Sequence, residues 1–308
     1  TCCSAALGGN LDLLQWARAN GCPWDEDTCS AAAEGGHLEV LHWARANGCP
    51  WEEKGLYVAT KNGHETVLRA LIELGADIEK AKDIGATPLY TSAYHGHETV
   101  VRALIESGAD VNKAMDDGVT PLLMAAQEGH EAVMRALIEM GADVNKAMDD
   151  GVTPLLMAAQ EGHEAVMRAL IEMGADVNKA MDDGVTPLLM AAQEGHEAVM
   201  RALIEAGADV NKAMDVGDTP LSMAAENGHE AVVRALIEAG ADVNKASDDG
   251  VTPLVLAAHF SHEVLVRALI EADADVNQAR DDGATPLLVA AENGHAAIVQ
   301  ILRDAGAA

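Results

Sequence analysis

Aromatic side chains are scarce in this 308-residue chain. It has one Phe, three Tyr and four Trp, and all four Trp lie before residue 52. A core must therefore be filled by Ala, Leu, Val and Met, which suits thin, closely stacked helices. Basic residues are also few: 20 Lys and Arg stand against 50 Asp and Glu, a net charge of −30. A partner rich in phosphate needs clustered Lys and Arg, so nucleic acid is disfavoured. No apolar run approaches the roughly 18 residues of a membrane span, and the start shows no secretory pattern. The five Cys include no C-x-x-C pair, and an odd number argues against a full disulfide framework. No phosphate loop G-x-x-x-x-G-K-[ST] and no dinucleotide G-x-G-x-x-G is present. Met is missing before Met115, and position 1 is Thr. The chain is therefore expected to be a piece of a longer product.

What is present is repetition. Residues 116–148 read DDGVTPLLMAAQEGHEAVMRALIEMGADVNKAM and recur unchanged at 149–181. Residues 182–214 differ only at Ala206, where Met140 and Met173 stand in the other copies. Thr-Pro pairs fall every 33 residues from Thr87-Pro88 to Thr285-Pro286, and His recurs at the same spacing from His64 to His295. Length alone suggests two domains, but a fixed period overrides that prior.

One copy reads as two short helices and a finger. Thr120 is a good N-cap, and Pro121 suits the first helical position. Leu122, Ala125 and Ala126 face one way, and Gly129 ends the helix in the left-handed conformation. The second helix starts near His130 and carries Val133, Met134, Leu137 and Ile138 as its apolar stripe. Gly141 closes it. Asp143-Val144-Asn145 is expected to run extended, and Asp116-Asp117-Gly118 has turn chemistry at the finger tip.

These residues closely resemble the ankyrin repeat, with its D-x-x-G-x-T-P-L-x-x-A-A-x-x-G-H…G-A-D-V-N pattern. The resemblance covers almost the whole chain. It implies an all-α solenoid of helix-turn-helix units with short extended fingers, built around a core that neighbouring units share. Two departures stand out. The family usually has His after Thr-Pro-Leu, where Leu123, Leu156 and Leu189 stand. The first Asp of the finger turn is replaced by Met115, Met148, Met181 and Met214. Both are read as local repacking, with the finger Met residues as a candidate exposed strip.

Residues 1–54 repeat with a different period. Trp16–Trp24 recurs as Trp43–Trp51, 27 residues on. These units resemble the short ankyrin-like repeats of large DNA viruses, algae and protists. The six missing residues come out of the finger, leaving a tight Cys-Pro-Trp turn, and the Trp residues are expected to shield the end of the stack. Cys2 and Cys29 align with Leu122, and Cys22 and Cys49 with Ala142, so all four are expected to pack as small apolar residues, with disulfides or a metal site as the alternatives. One His or Asn per unit counts ten repeats in a single domain, 1–308: two short units in 1–54 and eight in 55–308.

The once-per-repeat His are expected to serve the scaffold, because packed helices about 10 Å apart cannot share a metal ion whose bonds are near 2 Å. No nucleophile with a base and an orienting group is visible, so no catalysis and no cofactor are expected. Asp116-Asp117-Gly118 lacks the alternating ligands of a calcium loop. Met124, Met157, Met190 and Met223, with Met134, Met167 and Met200, read as adaptable core filling.

In ankyrin domains, partners touch the finger tips and the exposed side of the first helices. The residues matching those surfaces here are Asp116, Asp117, Asp149, Asp150, Asp182, Asp183, Asp215, Asp248, Asp249, Asp281 and Asp282 on the fingers. Glu128, Glu161, Glu194, Glu226 and Glu292 match them at the first-helix ends, and His95, His259 and Phe260 stand at variable surface positions. The reading is a non-catalytic scaffold, monomeric, intracellular and cytoplasmic, that binds a basic protein. A structural spacer or self-assembling rod is the alternative, since identical repeats present identical surfaces. A targeting arm of a larger enzyme or channel is a third.

Overall fold

A computed structural model describes residues 1–82 and 85–308. The chain divides into two compact units, Thr1–Met148 and Asp149–Ala308. Among the described residues there are twenty helices and no strand. In the first unit the helix pairs are α1 (Cys2–Leu7) with α2 (Leu11–Ala19), α3 (Glu26–Glu34) with α4 (Leu38–Ala46), α5 (Lys54–Lys61) with α6 (Glu65–Glu73), α7 (Pro88–Tyr94) with α8 (Glu98–Glu106), and α9 (Pro121–Gln127) with α10 (Glu131–Glu139). In the second they are α11 (Pro154–Gln160) with α12 (Glu164–Glu172), α13 (Pro187–Glu194) with α14 (Glu197–Glu205), α15 (Pro220–Asn227) with α16 (Glu230–Glu238), α17 (Pro253–His259) with α18 (Glu263–Glu271), and α19 (Pro286–Glu292) with α20 (Ala296–Asp304).

Helices of six to nine residues do not hold together alone in water, so each must borrow stability from its neighbours. The sequence supplies the start signals. Thr120, Thr153, Thr186, Thr219 and Thr252 each accept the N–H three residues on, with Pro in the first turn. The core is aliphatic. Leu122, Ala125, Ala126, Val133, Met134 and Leu137 are all buried, as are their copies through α18, whereas in the last repeat Leu287 and Val299 are half-buried and Ala291 is exposed. The second-helix stripe sits one step from the expected one: Ala136 is buried, and Ile138 is half exposed. A methyl side chain there lets the neighbouring helix come close.

Three hydrogen-bonded devices tie successive repeats. The repeated His donates from Nε2 to a carbonyl of the preceding repeat, as in His97 to Lys61 (2.8 Å), His130 to Tyr94 (3.0 Å), His196 to Gln160 (2.9 Å) and His229 to Gln193 (2.8 Å). The Asn of G-A-D-V-N clamps the backbone of the following repeat. Asn211 Oδ1 accepts from the Asp242 N–H at 2.8 Å, and its Nδ2 donates to the Gly240 carbonyl at 3.4 Å. Glu79 holds the Asp110 N–H in the same way from the equivalent position. Each such bond contributes about 1 kcal/mol. The third device is an Arg ladder: Arg102 joins Glu98 (2.8 Å) to Glu139 (2.9 Å), and Arg201 joins Glu197 to Glu238. These pairs are solvent-exposed, so each contributes only about 0–1 kcal/mol.

Several expectations need correcting. Asp143-Val144-Asn145 does not run straight. The Asp143 carboxylate accepts from the Asn145 N–H at 2.9 Å, which folds the segment into a turn. The finger Met residues are not exposed: Met115 is buried, and Met148, Met181 and Met214 are half-buried. Their backbone closes the tip, as where the Met181 N–H donates to the Val185 carbonyl and Gly184 donates back to Met181. The methionine ladder also divides. Met134, Met167 and Met200 are fully buried, whereas Met157, Met190 and Met223 are half exposed. The Trp residues form no dry cap: Trp16 is 64% exposed, while Trp24 packs edge-on to Trp43 and under the Arg18 guanidinium.

Among the described residues, Ser261 and Asp273 are the non-Gly residues at positive φ, both at 64°. Asp273 therefore keeps the helix end where Gly is usual. That conformation costs an ordinary side chain about 1–2 kcal/mol. Ser261→Gly and Asp273→Gly should each raise the melting temperature, with a gain of about 0.5–1 kcal/mol. The Asn244 clamp on Asp273 uses the backbone carbonyl and survives the change. A lower melting temperature in either variant would contradict the account.

Candidate partner-binding surface

The finger tips are built by a four-residue turn. In 181–185 the Gly184 N–H donates to the Met181 carbonyl, and Gly184 takes φ +87°, a value that Gly reaches without strain. The two tip aspartates then part company. The second one serves its own turn: Asp117, Asp150, Asp183 and Asp282 each accept the N–H two residues on, at 3.0 to 3.1 Å. The first one uses its backbone instead. In the second unit Asp182 donates to the Asp150 carbonyl (3.2 Å), Asp215 to Asp183 (2.9 Å), Asp248 to Val216 (3.0 Å) and Asp281 to Asp249 (3.1 Å). Successive tips are thereby joined in a row. The carboxylates of Asp149, Asp182, Asp215 and Asp248 are exposed. Asp282 is also drawn towards Arg280, 3.1 Å away.

The first-helix ends fall into two positions. Glu128, Glu161 and Glu194 are exposed at the last turn. Glu226 and Glu292 stand one residue earlier, where Gln127, Gln160 and Gln193 sit in the other repeats. Glu226 is half-buried there, and its carbonyl receives His262 at 3.0 Å. His259 likewise gives its carbonyl to His295, and its Nδ1 faces the Asn293 amide at 3.3 Å. Phe260 is 44% exposed, edge-on to the His259 ring and stacked over His262. In the first unit, Asp116, Asp117 and Glu128 present the same acidic chemistry by themselves.

Two features escaped the sequence reading. All three tyrosines, Tyr57, Tyr90 and Tyr94, line one groove of about 410 Å³ with His95 and Met115. Tyr57 and Tyr90 lie one period apart, which is the signal that could have found it. Burial holds the Tyr90 phenol above its ordinary range and the His95 imidazole below its own. The second is a swap in one tip. Val216 stands at the second-Asp position and is exposed, while Asp218 stands at the Val185 position and is half-buried. Burial raises the Asp218 carboxyl, and Asp248 and Asp249 add to this against a hydrogen bond from Ser222.

A family model described as ankyrin repeats (3 copies) matches residues 3–115, 112–181, 178–247 and 243–308. The chain belongs to the ankyrin repeat family. Ankyrin repeats are generally modules that bind other proteins. No curated protein matches this chain. Its His and Asn positions are thus those of an ankyrin scaffold, and its individuality lies in the tips and first-helix ends. Among the described residues, no helix is long and apolar enough to cross a membrane.

Proposed function

We propose that this ankyrin chain is a non-catalytic binding module for a basic protein surface, taken along the tips and first helices of residues 149–292. The observation that carries the reading is the row of first-position aspartates. Their backbones are fixed by hydrogen bonds from tip to tip, and their carboxylates remain free in water. A row of fixed like charges steers a cationic partner and raises its association rate more than its final affinity. Asp116, Asp117 and Glu128 offer the same attraction from the first unit. The half-exposed Met157, Met190 and Met223 supply an adaptable apolar strip on the first helices.

The test compares two equal changes of charge. Asp182→Asn with Asp215→Asn removes two carboxylates from the row. Glu263→Gln with Glu271→Gln removes two exposed ones from α18. With a lysine decamer as probe in low salt, the first pair should slow association by about three- to tenfold, and the second by much less. Equal slowing would mean that net charge alone matters, and the row would be rejected. The near-identity of 116–214 favours a second reading, a spacer or self-assembling rod. Growth of filaments with concentration in light scattering would support it against the monomeric binder.

A further inference from the structure

The two short repeats carry the same pair of thiols. Cys2 and Cys22 are 20 residues apart, and so are Cys29 and Cys49, one 27-residue period later. In each pair the first thiol comes from the first helix and the second from the turn after the second helix. In both pairs, Cys2 with Cys22 and Cys29 with Cys49, the thiols lie close enough to shift each other's ionisation. Cys2 Sγ also lies 3.8 Å from the Cys22 carbonyl. Aligned repeats in 55–308 have Leu and Ala at these places, so packing alone does not require sulfur there.

The pairs differ in access. Cys29 and Cys49 are both buried, at 2% and 0% exposure, and the Asp25 carbonyl covers the Cys49 sulfur at 3.3 Å. Cys2 is buried too, but Cys22 is half exposed, against the expectation that it packs like Ala142. We propose that Cys2 and Cys22 are an oxidisable dithiol, a covalent modification site that fastens α1 to the turn after α2, and that the Cys29–Cys49 pair is shielded from the same chemistry.

The environment supports the division of labour. Hydrogen bonding with Cys2, with the Arg18 guanidinium adding to it, lowers the Cys22 thiol below its ordinary value, whereas burial pushes Cys2 up to about 11. Burial likewise raises Cys29 and Cys49. Thiolate is the attacking form, so Cys22 reacts first and Cys2 resolves. With oxidised glutathione as oxidant, the Cys22 thiolate attacks one glutathione sulfur. A mixed disulfide forms, and one glutathione thiolate leaves. Cys2 loses its proton to solvent and attacks Cys22 Sγ, expelling the second glutathione. Two protein thiols are oxidised to one disulfide, and one glutathione disulfide is reduced to two thiols.

The experiment exposes the whole chain to oxidised glutathione, blocks remaining thiols with N-ethylmaleimide, and digests with trypsin. Cleavage after Arg18, Arg45 and Lys54 puts Cys2 with Cys3 on 1–18, Cys22 with Cys29 on 19–45, and Cys49 on 46–54. The expected product links 1–18 to 19–45, with Cys29 and Cys49 free to be alkylated only after denaturation. Cys2→Ser should halt the reaction at a glutathione adduct on Cys22, and Cys3→Ser should leave the crosslink intact. Alkylation of Cys22 in the native chain should outpace that of Cys29 by at least about tenfold. A link between 19–45 and 46–54 that forms as fast would overturn the proposal. So would loss of the first link in Cys3→Ser, or a glutathione adduct on Cys22 that persists in the unaltered chain.

Discussion

Gly184→Ala should destabilise its repeat by about 3 kcal/mol, whereas Gly207→Ala should cost only about 1 kcal/mol. Both glycines have positive φ, at 87° and 91°, so both pay the same conformational strain as alanine. They differ in what lies beyond. A Cβ on Gly184 would stand 2.9 Å from Met214 Cα and 3.0 Å from the Asp215 nitrogen. Those are backbone atoms of the next tip, held by the Asp215 to Asp183 hydrogen bond, and they cannot turn aside. A Cβ on Gly207 meets nothing within 4 Å. Repeat arrays lose all-or-none unfolding, so the comparison is best read by hydrogen exchange in α13 to α16 together with the melting temperature. Equal losses in the two variants would show that tip packing contributes nothing.

Asp218→Val should stabilise the chain by about 1–2 kcal/mol at neutral pH, allowing for the screening of a half-exposed group. The carboxyl is half-buried at a position where Val119, Val152, Val185 and Val251 stand in other repeats. Its folded-state value lies above the ordinary 3.8, with burial as the main cause. The folded state therefore holds the proton more tightly than the unfolded state. The stability this gives is complete below pH 3.8 and is lost as pH rises through the raised value. The benefit of Asp218→Val is thus largest above that value and fades as pH falls towards 3.8. Urea titrations of parent and variant at matched pH cancel the other carboxylates. A benefit that grew on acidification would refute the assignment.

Of the candidate surface, the sequence made legible the residue types and not their separate roles. The sequence singled out both aspartates of each tip as equals. The fold uses Asp150 and Asp183 to tie their own turns, and leaves Asp149 and Asp182 free, because an Asx turn reaches the N–H two residues on and no further. Glu226 and Glu292 read as copies of Glu128. They stand one residue earlier, since Asn227 and Asn293 hold the Glu128 register.

By itself the sequence determined the repeat, its helix pairs and their ends. Thr-Pro caps, left-handed glycines and an aliphatic stripe are local signals, and they act over a few residues whatever surrounds them. Even the unusual Asp273 was readable, since one residue's tolerance of positive φ decides it. The tertiary structure alone decided what each repeat does to the next. The His that reaches 36 residues back, the Asn that clamps the backbone 31 residues on, and the tip Met drawn inwards all depend on partners remote in sequence. Burial of Cys2 beside a half-exposed Cys22 belongs to the same class. A period announces that neighbours will pack, but exposure and hydrogen-bond partners are properties of the space between them.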